Sequence, residues 1–336
     1  MDILVIVNQN FHGLYTPIIE GLQSKGHNAR LLELGKVARF RYKSPLQRLV
    51  NGLSKAILRR NRKQEWRDTR IAKHLSHIAD QRRKRPYDLI VVNHTDTCNK
   101  AHISQLKNMS KTLGAHLWDS RGKEPQFFEH IDQYDTVISF DPIDAQLYGF
   151  ADTTNYIANA VMPLKQPEHY EHDVFAVMSY DKSRYKFIER LIDNNPRVDF
   201  DIVIYVQSEH RRKYVTHPKI TVIDQPLFGK ELLARIAGSK AILDIGHKQQ
   251  YGLSFRVMEA LGYERKLITT NRKVIDYPFY QPQNIDCIDH DRLTIESKFF
   301  QTPYLPIEES IVNNYRLNSW IDDYLDKLTH GSPHRD

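Results

Sequence analysis

Two charged residues three positions apart, Arg256 and Glu259, have the chemistry needed to hold a nucleoside diphosphate. They follow a glycine-bearing stretch, residues 246–254, which comes after the apolar run Ala241–Ile245. The pattern predicts a strand, a loop and a helix that begins near Gly252–Leu253. The exposed N–H groups and the positive dipole end of such a helix suit a diphosphate. Arg256 would add a charge-assisted bond to phosphate, and Glu259, on the same face, would accept ribose hydroxyls.

The alternative is that Arg256 and Glu259 form an ion pair on the helix surface. Other nucleotide chemistries lack support. No G-x-G-x-x-G follows either predicted first strand, and no G-x-x-x-x-G-K-[ST] occurs, which argues against a dehydrogenase and a P-loop NTPase. The sequence also has no H-E-x-x-H and no cluster of His and Cys, so no metal site is predicted.

Short apolar runs alternate with helical periodicity along most of the chain. Ile3–Val7 opens one series and Val174–Met178 opens a second, and the Pro-bearing residues 159–172 separate them. All-apolar runs of this length are typical of strands in parallel sheets. The sequence therefore predicts an α/β chain of two Rossmann-like, doubly wound domains with a cleft between them. We expect the domains at residues 1–160 and 173–305, followed by a final helix within 306–330.

The bulk composition is that of an ordinary globular protein of two domains. The chain has 336 residues, of which 40% are hydrophobic and 26% charged. Its two cysteines, Cys98 and Cys287, lie far apart, which excludes a disulfide framework and fits a cytoplasmic protein. No run of eighteen apolar residues occurs, so no segment is predicted to cross a bilayer.

The positive charge is concentrated in residues 36–86, a helical insertion in the first domain. Between Lys36 and Arg85 there are seventeen Lys or Arg and three acidic residues. Ser44–Pro45 predicts a helix start, and one apolar stripe follows at helical spacing: Leu46, Leu49, Val50, Leu53 and Ile57. An amphipathic helix of this kind binds anionic membranes, so residues 45–63 are predicted to contact the membrane.

Two alternatives exist for this basic segment. The segment could be an ordinary surface helix whose apolar stripe packs on the sheet and whose basic residues are solvated. The charge could also bind nucleic acid. No nucleic-acid-binding motif is visible and aromatic residues are few within the segment, so a nucleic-acid partner is not expected.

The segment Gly252–Gly262, followed by Lys266–Asn271, resembles the donor-binding region of GT-B glycosyltransferases, especially CgeB-like and polysaccharide- or lipopolysaccharide-biosynthesis proteins. Residues 116–120, 134–142, 178–185 and 277–284 resemble other parts of that family. The residues that match the donor pattern are Gly252, Leu253, Ser254, Arg256, Glu259, Leu261 and Gly262. Retaining members have two glutamates eight positions apart. Here position 251 is Tyr, so their mechanism is not carried over.

The resemblance implies a nucleotide-sugar donor as co-substrate, with no cofactor and no required metal. Ser179, Lys182 and Arg184 would reach the donor diphosphate, and His247 and Gln250 would line the donor pocket. The alternatives are a structural role for His247 and a solvated helix start for Lys182 and Arg184. The final helix would return to the first domain, which would hold the acceptor.

An inverting transfer needs a base for the acceptor hydroxyl. Asp119 follows a predicted strand at the edge where α/β sheets bind ligands, so it is the first candidate. His12 and Glu124 are further candidates, and the alternative for Asp119 is a cap of the following turn. Together these features predict a cytoplasmic, peripherally membrane-bound glycosyltransferase that extends a lipid-linked surface glycan such as lipopolysaccharide, capsule or exopolysaccharide. A non-catalytic GT-B relative that binds a sugar nucleotide is the remaining alternative.

Overall fold

The chain folds into two α/β units, each built on a parallel six-stranded sheet. The computed structural model describes residues 1–10, 13–93, 95–122, 127–247 and 250–331. Unit 1 comprises Met1–Thr153 and Ile321–Asp336, and unit 2 comprises Thr154–Trp320. Both sheets are flanked by helices, which confirms the α/β class predicted from the alternating sequence pattern.

Unit 1 has the strand order β2-β1-β3-β4-β5-β6. Its elements are β1 (Asp2–Val7), α1 (Thr16–Ser24), β2 (Asn28–Glu33), α2 (Leu34–Val37), α3 (Pro45–Leu58), α4 (Arg62–Arg82), β3 (Tyr87–Asn93), α5 (Lys100–Lys107), β4 (Ser110–Leu117), β5 (Thr136–Ser139), α6 (Pro142–Tyr148) and β6 (Ala151–Asp152). All six residues of β1 are buried, as its all-apolar run predicts for a central parallel strand.

Unit 2 has the strand order β12-β11-β10-β7-β8-β9. Its elements are β7 (His172–Ser179), α7 (Lys182–Asn194), β8 (Phe200–Tyr205), α8 (Glu209–Arg212), β9 (Ile220–Ile223), α9 (Gly229–Ala237), β10 (Ser239–Asp244), α10 (Phe255–Tyr263), β11 (Lys266–Thr269), β12 (Ile285–Cys287), α11 (Ser297–Gln301) and α12 (Glu309–Asn314). The last helix, α13 (Leu317–His330), begins in unit 2 and ends in unit 1.

The sheet of unit 2 is buried on both faces. Along β7, Val174 and Ala176 belong to one hydrophobic cluster, whereas Phe175 belongs to another and Val177 packs against it. Successive strand residues point to opposite faces, so the two clusters lie on opposite sides of the sheet. This double burial explains why the strands read as continuous apolar runs.

The basic insertion forms two helices. Pro45 begins α3 after Ser44, whose hydroxyl caps the helix by accepting from the Gln47 N–H at 3.2 Å, as predicted. The second helix, α4, spans the 21 residues Arg62–Arg82. Its polar first half continues the helix because Arg, Lys, Gln and Glu are good helix formers. In the described part of the chain, no helix is both long and apolar enough to span a bilayer.

Residues 155–158 belong to no strand of either sheet. Ile157 makes an isolated parallel bridge with Arg316 instead. Its N–H donates to the Tyr315 carbonyl at 2.7 Å, and its carbonyl accepts from the Leu317 N–H at 3.0 Å. The backbone groups of Ile157 are thus satisfied by residues at and just before the start of α13, and not by the sheet.

Candidate functional site

The strand order of unit 2 reverses between β7 and β10, which are neighbouring parallel strands. From β7 the sheet grows through β8 to β9, and it then resumes on the other side of β7 with β10. The loops that leave these neighbouring strands therefore diverge, and α/β sheets bind ligands in the crevice that such a reversal opens. The loop after Ser179 and the loop after Asp244 both start at this edge.

The first turn of α7, just after β7, carries a partly buried arginine, Arg184. Asp181 caps α7 by accepting from the N–H groups of Ser183 and Arg184, both at 3.0 Å. The Arg184 N–H bond is the main cause of the lowered pKa of Asp181. The Arg184 side chain donates one bond, from Nη2 to the Ser179 carbonyl at 3.2 Å. Lys182 and Ser179 are exposed at the same turn.

Arg184 has unused capacity to bind an anion. Its buried Nε has no hydrogen-bond partner, and its guanidinium forms no ion pair with any residue that the structure describes. Burial lowers the pKa of Arg184, and the nearby carboxylates of Asp181 and Asp244 partly offset this effect. A partly buried cation without a paired carboxylate is the kind of group that a phosphate oxygen stabilises.

Asp244, at the end of β10, ties the second loop together. Its buried carboxylate accepts from the hydroxyls of Ser254 at 2.7 Å and Thr269 at 2.9 Å. Burial raises the pKa of Asp244, although these two hydroxyls and the charges of Arg256 and Arg184 oppose the shift. The carboxylate thus lies near both arginines predicted to bind the donor. Sequence reasoning missed Asp244, although an acidic residue at the end of a buried strand was a usable signal.

The donor helix begins later than the sequence predicts. Ser254 has an extended backbone, and its hydroxyl accepts from the Arg256 N–H at 3.1 Å, so α10 starts at Phe255 and not near Gly252–Leu253. Gly252 and Leu253 are buried before the cap, where their carbonyls accept from the side-chain amides of Asn271 (3.0 Å) and Asn155 (2.7 Å). These two contacts fix the loop just before α10, so that Arg256 lies in the first turn of that helix.

Arg256 and Glu259 contact each other directly. Their side chains form the i,i+3 ion pair that was the alternative to a donor role. Burial raises the pKa of Glu259, and the Arg256 charge opposes this. Arg256 lies in the first turn of α10, and its charge acts to lower the pKa of Asp244. The residues are therefore held at the sheet edge where the donor was predicted, and their donor roles stay predictions.

His247 and Gln250 lie in the loop between β10 and α10, and both are half-buried. The Gln250 N–H donates to the His247 carbonyl at 3.3 Å. The charge of His247 contributes to the lowered pKa of Asp181, which places this histidine near the start of α7. The structure thus gathers the two predicted donor loops at one edge of the sheet.

Unit 1 has its own reversal of strand order, between the parallel strands β1 and β3. Asp119 lies two residues beyond the end of β4, one strand away, and is half-buried. Asn93, which sequence reasoning missed, ends β3 at the reversal and accepts from the Trp118 indole at 2.7 Å. Its buried amide nitrogen has no partner among the described residues. His12 and Glu124, the other predicted bases, lie outside the described residues.

Metal-binding side chains do not cluster in the described ranges. Within 1–10, 13–93, 95–122, 127–247 and 250–331, no group of three or more His, Cys, Asp or Glu is arranged to hold a metal ion.

Several solved structures match nearly the whole chain. A UDP-forming α,α-trehalose-phosphate synthase from Burkholderia xenovorans has a TM-score of 0.59 at 12% identity, covering 98% of this chain and 99% of that one. The lipopolysaccharide outer core galactosyltransferase WaaB, in its apo form, has a TM-score of 0.57 at 12% identity, covering 98% and 99%. UDP-GlcNAc 2-epimerase from Neisseria meningitidis, bound to UDP-GlcNAc, has a TM-score of 0.54 at 11% identity, covering 98% and 100%.

The chain has the GT-B fold. This follows from its two parallel six-stranded sheets and from the full-length match to structures with that fold. At such low identity the likeness concerns the fold, which here hosts both transferases and an epimerase. No family model and no curated protein matches the sequence, and the CgeB-like resemblance stays a prediction.

Proposed function

We propose that this chain is a glycosyltransferase that moves a sugar from a nucleotide-sugar donor to a growing, lipid-linked surface glycan. The observation that carries the proposal is the half-buried Arg184, which lies near Asp244 and whose buried Nε has no hydrogen-bond partner among the described residues. A helix start and two arginines at a strand-order reversal together suit a diphosphate. The UDP-GlcNAc bound to one structural neighbour supports a sugar nucleotide as the ligand class.

In this proposal, Arg184 and Arg256 bind the donor diphosphate, with Lys182 and Ser179 at the exposed side. Glu259 exchanges its contact with Arg256 for the ribose hydroxyls, and His247 and Gln250 line the pocket. The two arginines and the N-terminus of α10 would stabilise the negative charge of the leaving diphosphate, so no metal ion is needed. Turnover that persists in EDTA would support this part of the proposal.

On the acceptor side, Asp119 would accept the proton of the attacking hydroxyl, with His12 and Glu124 as the other candidates. The glycan acceptor would be lipid-linked, and the enzyme would work at the cytoplasmic face of the membrane through residues 45–63. Replacing Arg59, Arg60, Arg62 and Lys63 by Gln should release the protein from anionic liposomes, because each cation near such a surface contributes about 1 kcal/mol. Unchanged binding would contradict the membrane partner.

The decisive test is calorimetric titration with UDP, GDP, CMP and dTDP beside a generic RNA, at physiological salt. We expect saturable binding of one nucleotide. Arg184→Ala and Arg256→Ala should each weaken it about 10- to 100-fold, because each removes a charge-assisted bond. Glu259→Ala should also weaken it, without unfolding the protein. Lys186→Ala is the control, since Lys186 is exposed on the same helix as Arg184.

Each alternative function gives a different result. Binding of RNA alone would make the basic segment the functional part. Nucleotide binding without release of nucleotide from any sugar donor and acceptor would indicate a non-catalytic relative. Conversion of the donor sugar to its epimer, with no acceptor required, would indicate epimerase chemistry, which occurs among the structural neighbours.

A further inference from the structure

Helix α3 exposes its apolar side. Leu53 is 51% exposed and Ile57 is 73% exposed. The other apolar residues of the stripe are exposed as well: Leu46, Leu49 and Val50. A surface helix normally turns such a stripe toward the core. The alternative that the stripe packs on the sheet is therefore wrong, and a contiguous apolar surface of this kind marks an interaction site.

The side of α3 that faces the protein is polar. Asn51 is 4% exposed and Ser54 is 5% exposed. The Asn51 amide donates to the Tyr42 hydroxyl, and its oxygen accepts from the Lys63 N–H at the start of α4, both at 2.9 Å. These bonds fix the rotation of the helix about its axis. Specific contacts of the polar side thus hold the apolar stripe outward, toward solvent.

The charges around the stripe favour an anionic partner. Residues 34–64 contain no acidic residue. Arg48 borders a shallow groove on the exposed side together with Leu49, Leu53 and the small residues Gly52 and Ala56. Arg60 pairs with Glu65, but Arg48, Lys55 and Arg59 form no ion pair with any described residue. A second copy of this chain would bring like charges together, whereas an anionic bilayer offers both apolar depth and negative headgroups.

We propose that α3 inserts its apolar stripe (Leu46, Leu49, Val50, Leu53 and Ile57) into the interface of an anionic lipid bilayer, while Arg48, Lys55 and Arg59 contact the headgroups. This inference rests on the proposed membrane partner and deepens it, because it makes the contact an insertion and not only an electrostatic attachment. The polar contacts of Asn51 present the stripe before binding, so little reorganisation is needed on the surface.

The test is flotation of the full-length protein with vesicles of phosphatidylglycerol and phosphatidylcholine, compared with phosphatidylcholine alone. Wild type should float with the anionic vesicles. The double variant Leu53→Glu/Ile57→Glu should bind them at least about tenfold more weakly, because two inserted side chains are lost. Leu147→Glu is the control, since Leu147 is 67% exposed on α6, outside the stripe.

A reporter separates insertion from attachment by charge. Leu53→Trp should shift its fluorescence to shorter wavelength on anionic vesicles, and Leu147→Trp should not. If Leu53→Glu/Ile57→Glu binds like wild type, the attachment is electrostatic only and the insertion is wrong. If sedimentation shows a wild-type dimer that the same variant dissociates, a second copy covers the stripe and the proposal is also wrong. Nucleotide titration of Leu53→Glu/Ile57→Glu tests the donor site, not the stripe. A loss of nucleotide binding would therefore count against the donor proposal and leave the membrane result unaffected.

Discussion

At the scale of single residues, unit 2 keeps charged side chains near the carboxyl ends of β7 and β10, where their burial reduces the stability of the fold. Asp244 is buried and accepts from two hydroxyls, and Arg184 is half-buried without an ion pair among the described residues. Burial shifts the pKa of each group toward its neutral form. Perturbed groups that meet at a strand-order reversal are typical of functional sites, and they commonly reduce stability in return for function.

Replacing Asp244 by Asn should reveal this cost. The pKa of Asp244 is raised in the folded protein, so its ionised form destabilises the fold above that pKa. We expect Asp244→Asn to be more stable than wild type near pH 7, by about 1.4 kcal/mol for each unit of the raised pKa. As the pH falls toward 4, wild type becomes protonated and the difference should vanish. Urea denaturation at several pH values measures it. A less stable variant at pH 7 would show that the charge instead supports the two arginines.

Lys266 makes a second pH-dependent contribution, with the opposite charge. Its ammonium group donates to the Phe299 carbonyl and to the Thr302 hydroxyl at 2.7 Å, and burial lowers its pKa to about 8. Below pH 8 Lys266 is protonated in the folded protein, and burial of its charge destabilises the folded state. Between pH 8 and the ordinary lysine value of about 10.5, the folded state releases the proton before the unfolded state does, so stability rises.

The stability of wild type relative to Lys266→Met should therefore increase from pH 8 to 10.5. The comparison removes the titration of other groups, because both proteins share them. Urea denaturation at pH 7, 8.5 and 10 gives the three differences. A difference that stays constant across this range would mean that Lys266 keeps an ordinary pKa and acts only through its hydrogen bonds.

At the scale of elements, α10 packs closely against the segment that precedes unit 2's first strand. A Cβ atom on Gly262 would lie 2.6 Å from Ile157 Cγ2 and 2.7 Å from Val161 Cγ1. We expect Gly262→Ala to destabilise the protein by about 1–3 kcal/mol through overpacking. The glycine that matches the donor pattern thus has a packing role.

Gly52, inside α3, provides the matched control. A Cβ atom there would meet nothing within 4 Å. Gly52→Ala should stabilise the helix by about 0.5–1 kcal/mol, because alanine loses less backbone freedom on folding. Thermal denaturation of both variants measures the contrast. Equal effects at the two positions would show that the close approach at Gly262 relaxes without cost.

The sequence predicts where the helices and strands lie along the chain better than it predicts the tertiary contacts of their residues. Buried parallel strands such as β1 and β10 were recognisable because a short all-apolar run is typical of a strand covered on both faces. Asp244 was not, because its role depends on hydroxyls 10 and 25 residues away along the chain. The periodicity of α3 revealed an apolar stripe, but not that the contacts of Asn51 turn this stripe outward.

At the scale of the whole molecule, each unit has its own core, and the last helix supplies part of the core of unit 1. Leu328 is fully buried, and its Cδ2 lies 2.6 Å from the position that a Cβ on Gly114 would occupy. The Leu328 carbonyl accepts from the Thr136 hydroxyl at 3.0 Å, and Lys25 pairs with Asp322 at 2.7 Å. Unit 1 is therefore complete only when the chain has passed through unit 2.

Scanning calorimetry should then show two transitions that respond to different changes. Leu328→Ala removes a buried side chain and should lower the stability of unit 1 by about 2–5 kcal/mol. The nucleotide identified by titration should raise only the transition of unit 2, by about 2.7 kcal/mol at a concentration 100 times its Kd. With both changes together, the two transitions should move apart, because each perturbation acts on a separate core.

The control is Leu147→Ala, which truncates an exposed leucine of the same unit and should shift neither transition. A single transition that responds to both Leu328→Ala and nucleotide would contradict independent cores. In that case the stabilisation of unit 2 by its donor would also stabilise unit 1, and the chain would unfold as one cooperative body. The calorimetric experiment therefore decides whether α13 serves only the core of unit 1 or also couples the two units energetically.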